Sequence, residues 1–121
     1  VIFIKHQELH MSIPKPLKPV RGSKSGAPIM ALFDLMGRRW AMGIVWQLNE
    51  GPLSFVEIQK RCESISPTIL SARIKDLIEA KLVEKTVEGY NLTPLGMDLF
   101  GILEPFKGWA AKWTKALGDG K

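Results

Sequence analysis

A chain of 121 residues and 13.5 kDa is one domain's worth of sequence, and at 45% hydrophobic and 24% charged it supports a packed core and excludes global disorder. No stretch reaches the roughly 18–20 uninterrupted apolar residues of a membrane span, and the lone cysteine, Cys62, excludes an internal disulfide or a multi-thiolate metal site and fits a reducing, cytoplasmic setting. The net charge of +5 invites nucleic acid, but residues 1–27 hold five basic side chains against Glu8, whereas residues 28–121 hold 12 basic and 11 acidic ones, so the argument rests on where charges lie in the folded part.

Residues 1–27 read as a basic, flexible tail. Pro14, Pro16, Pro19, Gly22 and Gly26 favour extended chain over regular structure. His6 and His10 lie there at helical ligand spacing, with no further ligand to complete a metal site. From Pro28 the pattern becomes helical. Pro28 suits a first helical position, Ile29, Leu32, Phe33 and Met36 follow at helical spacing, and Gly37 marks a stop. A second helix is expected over residues 38–48, with Trp40, Ile44, Val45 and Leu48 on one face, closed by Gly51-Pro52.

Ser54-Phe55-Val56-Glu57 is a capping box and opens a short third helix to about Cys62. Ser66 and Pro67 then form an N-cap and first position for a fourth helix, whose apolar face is Leu70, Ile74, Leu77 and Ile78. Residues 82–87 and 90–92 read as a small hairpin turning at Glu88-Gly89. Thr93-Pro94 starts a last helix reaching about Leu117, with an apolar stripe of Leu95, Leu99, Leu103, Phe106, Ala110, Trp113 and Leu117 and a kink at Pro105. At 1.5 Å per residue it runs roughly 35 Å, more than a core this small can cover. A homodimer is therefore expected, with Ile29, Leu32, Phe33, Leu103, Phe106, Trp109, Ala110 and Trp113 at its interface. The competing reading packs these aromatics on the first helix of the same chain.

The chemistry of an enzyme is missing. No glycine-rich phosphate loop follows a strand, no Gly-x-Ser-x-Gly occurs, and no histidine lies after His10. No cofactor or metal is implied. The element order is instead that of a mainly α winged helix-turn-helix: helices, a tight turn, a reader helix, a β-hairpin wing and a terminal helix for dimerisation.

In such a fold the helix after the turn, Ser66–Ala80, enters the major groove of double-stranded DNA. With its buried stripe on Leu70, Ile74 and Leu77, about 100° per residue turns Thr68, Ala72 and Lys75 outward, with Ile69 and Ser71 on the flanks. Small and hydroxylated residues let the backbone approach base edges, Ile69 or Ala72 suits a thymine methyl, and Lys75 suits a phosphate or base. The start of this helix at Ser66, Pro67 and Thr68 offers a phosphate site, with the Ser66 and Thr68 amides as its donors. Lys60, Arg61 and Lys85 are further candidate phosphate contacts. Arg73 sits nearer the buried flank and suits either an acid such as Glu57 or Asp76 or a phosphate at the rim. Taken singly, each of these residues is as well explained by capping or solvation; the joint pattern carries the reading.

Residues 28–113 resemble the HxlR-type winged-helix transcriptional regulators, relatives of the MarR group. Gly37-Arg38-Arg39-Trp40 is similar to their Gly-Gly-Lys-Trp signature, Ser54–Ile58 to their Arg-Phe-x-Glu-Leu, Ile65–Leu77 to their reader helix, and Tyr90–Gly96 to their Tyr-x-Leu-Thr-x-x-Gly. The resemblance implies a cytoplasmic prokaryotic homodimer, joined through its terminal helices, on a palindromic operator. Three departures stand out. Many members carry a redox-sensing Cys-Pro pair where this chain has Ala27-Pro28. The glycine that ends their reader helix is Lys81 here. The wing is short, with Glu88 at its tip and Lys85 as its basic residue; the basic tail is then a substitute arm for the minor groove.

Residues 28–117 are thus expected to form the domain, with 118–121 as a short tail. The alternative is a winged helix serving as a protein-interaction module, motivated by the nearly neutral folded part. A further reading adds a small-molecule or oxidant sensor, in a pocket lined by Trp40, Trp46, Phe100 or Phe106, although aromatics at helical spacing are more often core.

Overall fold

The computed structural model describes residues 12–118. The paired histidines, Met11 and the last three residues of the expected C-terminal tail lie outside them. The order is α1 (Pro28–Met36), α2 (Ala41–Gln47), a 3-10 turn (Leu48–Glu50), α3 (Phe55–Arg61), α4 (Pro67–Glu79), β1 (Val83–Thr86), β2 (Gly89–Leu92), α5 (Pro94–Leu103) and α6 (Phe106–Ala116).

Local signals set most of these boundaries. Ser54 Oγ accepts from the Glu57 amide while Glu57 Oε1 accepts from the Ser54 amide, completing the capping box of α3. Ser66 caps α4 through the Ile69 amide, and Thr93 caps α5 through the Gly96 amide, each followed by a proline at the first helical position. Gly37 ends α1 in right-handed rather than left-handed geometry. The second helix starts at Ala41 and not at Arg38, because Trp40 takes a left-handed conformation (φ 71°) that breaks the helical path.

The core lies where α2 meets α1, α3, α4 and α5. Ala41, Ile44, Val45, Leu48, Ile58, Cys62, Leu70 and Leu77 are buried there. Ile78, expected on the apolar face of the reader helix, is exposed, and Asp76 takes a place in the interior instead. Leu103 closes the core from α5.

The hairpin is antiparallel, pairing Val83 with Leu92 and Thr86 with Gly89, so the turn is Val87-Glu88, one residue earlier than expected. Thr86 Oγ1 donates to the Gly89 carbonyl and accepts from the Glu88 amide, closing that turn. Leu53 adds a one-residue bridge to Tyr90. Gly89 is required here: its φ is 128°, and a Cβ would come within 2.6 Å of the Leu53 carbonyl oxygen.

Residues 12–27 lack helix and strand, as their prolines and glycines predict, apart from an isolated bridge between Val20 and Ser23. They are nevertheless held to the body. Ser12 Oγ donates to Glu79, Lys15 pairs with Glu79 at 3.4 Å, the Ser12 carbonyl accepts from Arg38, and Ile13 packs against the core. Farther along, Arg21 reaches Asp34 at 3.6 Å. This strap crosses beside α4 and the end of α1.

Candidate nucleic-acid interface

The turn between α3 and α4 is compact. Glu63 and Ser64 both adopt left-handed backbone conformations, and Gln59 Nε2 donates to the Ile65 carbonyl to brace it. This swings α4 across the body with one face buried at Leu70, Ile74 and Leu77. Cys62 fills space at the end of α3. It is fully buried, and burial pushes its thiol above the usual range, with Glu63 adding to the effect.

The outward side of α4 presents Ser66, Pro67, Thr68 and Lys75 to solvent, with Ser71 and Ala72 half-buried between them. Lys60 and Arg61 are exposed at the end of α3, on the far side of the turn. Lys85 is exposed on β1, its Nζ 5.4 Å from the centre of the Tyr90 ring. Ile69 is half-buried and packs against the core, which leaves less of it for a thymine methyl than expected.

Of the two roles expected for Arg73, the structure shows the pairing with an acid, and that acid is Asp76. Arg73 Nη1 lies 2.8 Å from Asp76 Oδ2, and its Nε donates to the Arg39 carbonyl at 3.0 Å. Asp76 is fully buried, and Arg38 approaches its other oxygen at 3.0 Å. Two guanidiniums from different elements thus clamp one interior carboxylate. Arg73 thereby ties α4 to the α1–α2 turn. Asp76 thus anchors the helix from the interior. Sequence reasoning also missed Arg39, whose exposed side chain borders the same turn; the Arg38-Arg39 pair was the available signal.

The candidate interface residues divide as well. Phe106, Trp109, Ala110 and Trp113 are exposed, as are Ile29 and Phe33, while Leu32 is half-buried. Leu103 belongs to this chain's own core and is not available to a partner. Pro105 divides the expected single helix into α5 and α6, since its nitrogen has no hydrogen to donate. No residue of α6 is buried. Its aromatics therefore do not fold back onto α1; Trp109 and Trp113 stack on each other at 5.9 Å. Of the four aromatics considered for a sensor pocket, Trp46 and Phe100 meet edge-to-face and pack with Trp40 against the core, whereas Phe106 faces solvent.

A capped helix, a tight turn, a second capped helix with a small hydroxylated outer face, and a hairpin behind it make this a winged helix-turn-helix fold of the DNA-binding regulators. The chain belongs to the HxlR-like helix-turn-helix family, whose model matches residues 35–117, and is a transcriptional regulator of that family. It is 33% identical over 90 residues to the HTH-type transcriptional regulator YodB of Bacillus subtilis, covering 69% of this chain and 80% of that one. It is 29% identical over 91 residues to the HTH-type transcriptional regulator MJ0925 of Methanocaldococcus jannaschii, covering 72% of this chain and 86% of that one. Among solved structures, quinone-bound YodB superposes with a TM-score of 0.65 at 33% identity, over 69% of this chain and 96% of that one. A possible HxlR family transcriptional factor of Thermoplasma volcanium gives 0.63 at 34% identity, over 69% and 82%.

Proposed function

We propose that the chain acts as a homodimer on a palindromic operator, with residues 28–117 as the working unit in the cytoplasm. The observation that carries this reading is the state of α6. An isolated helix of 11 residues is marginal in water, and this one buries nothing of its own while carrying two stacked tryptophans and Phe106. A second copy supplies the missing cover, with Ile29 and Phe33 of α1 as further contacts. Two reader helices then lie about 34 Å apart on one face of the duplex.

In that assembly Thr68, Ser71 and Ala72 face base edges, and the Ser66 and Thr68 amides on either side of Pro67 offer a phosphate site at the helix start. Lys60, Arg61, Lys75 and Lys85 take phosphates. Four such contacts per protomer, eight per dimer, give a slope of about −7 in log affinity against log salt. The test is fluorescence anisotropy with genomic duplex fragments across a salt series, with Lys75→Glu beside the wild type. Binding that falls steeply with salt and collapses in the variant supports the reading. Indifference of both proteins to duplex at low salt overturns it and favours a protein partner for the winged helix.

A further inference from the structure

A cavity of about 630 Å³ opens between the strap, the end of α1 and the reader helix. Its size falls in the range of small-molecule sites. Four arginines border it, Arg21, Arg38, Arg39 and Arg73, with Asp34 as the acid among its walls. Arg38 and Arg73 are engaged by the buried Asp76, and Arg21 leans on Asp34 at 3.6 Å. Among the described residues, these four guanidiniums outnumber the two carboxylates, Asp34 and Asp76, by two. Arg39 is exposed, and its backbone carbonyl, held by Arg73 Nε at 3.0 Å, fixes where its side chain leaves the turn. Ile13, Pro14 and Pro19 from the strap and Ala72 from α4 supply an apolar stretch of wall, and Ser12 and Gly37 complete the lining.

A cationic rim over an apolar wall suits an anion with a hydrophobic body. We propose that this cavity is a binding site for a small organic anion, a carboxylate or phosphate ester, held by Arg39 and Arg21 against the strap and Ala72. The site shares Ala72 with the proposed base-reading face, but binding of an anion there does not require DNA. Its consequence for regulation does rest on the function proposed above: Ala72 and Arg73 belong to the reader helix, so an occupant bridges the strap to the element that enters the groove.

The test uses the full chain, without DNA, labelled with 15N. Inorganic phosphate, acetate and 3-methylbutanoate are titrated at constant ionic strength while backbone amides and arginine Nε–H signals are followed. Saturable shifts confined to residues 12–21, Asp34, Arg39 and Ala72 are expected, with 3-methylbutanoate saturating at lower concentration than acetate. Saturation by phosphate but not by the carboxylates also supports the site and assigns it to phosphate esters. Arg39→Gln should weaken saturation about tenfold, the worth of one charge-assisted hydrogen bond. Ala72→Leu, which fills the cavity with Arg39 intact, should abolish the response to 3-methylbutanoate. Shifts that never saturate, that spread over all surface lysines, or that persist in both variants overturn the proposal. So does a loss of duplex affinity in Arg39→Gln when no anion saturates the wild type, because the cavity then serves a DNA phosphate.

Discussion

Asp76 concentrates the energetics of the site in one side chain. A carboxylate taken wholly out of water is tolerable only when opposite charges and hydrogen bonds meet it, and Arg38 and Arg73 do so from two directions. Asp76→Ala should cost about 3 kcal/mol in urea unfolding, since it leaves two guanidiniums facing each other across the vacated space. Lys81 is a second local oddity. It holds a left-handed conformation (φ 65°) just after α4, where a glycine has no Cβ to strain. Lys81→Gly should therefore raise stability by up to about 1 kcal/mol in the same measurement. The sequence made Lys81 legible, because a helix stop is read from adjacent residues. It offered Asp76 as a partner for Arg73 but not its burial or its second partner, because Arg38 is remote in sequence and the helical period alone puts an acid outside.

At the scale of elements, the caps were readable for the same reason. Ser54, Ser66 and Thr93 each meet an amide three residues on, a relation that any short window of sequence contains. The boundaries that moved are those set by distant packing, such as the start of α2 at Ala41. Thr93 does two jobs, since its hydroxyl also donates to the Lys81 carbonyl at 2.7 Å. Beside it, Gly96 admits no side chain: a Cβ there would overlap the Leu82 carbonyl oxygen. Gly96→Ala should separate α5 from the start of the wing and lower stability by more than about 2 kcal/mol, read as a lower urea midpoint. The capping box gives a pH signature. The Ser54 amide, then the Ser54 hydroxyl, hold the Glu57 carboxyl below its ordinary value, with help from Arg61 and Lys60. A depressed folded value means that the stabilisation is present above the ordinary carboxylate range and is lost as pH falls through the folded value. Glu57→Gln should thus flatten the acid limb of the stability profile between about pH 5 and 3.

For the whole molecule, the unburied α6 sets the expectation. Trp109→Lys with Trp113→Lys should yield a monomer by light scattering, with loss of helical circular dichroism equivalent to about one short helix, while the urea transition of the core persists. A dimer that survives both changes would place the contact elsewhere. The apolar stripe was visible in the sequence, but its division was not. Leu103 and Phe106 lie one turn apart on the same periodic pattern, yet only the three-dimensional fold decides that the first is core and the second is surface. The clamp at Asp76 also bears on how such a chain can change over generations. One side of α4 holds the helix in place, and the other side, at Thr68 and Lys75, is exposed and left unconstrained by packing. With the base-reading role proposed above, duplicated copies can diverge in the sequence they read by drift on that outer side alone, with the scaffold inherited intact.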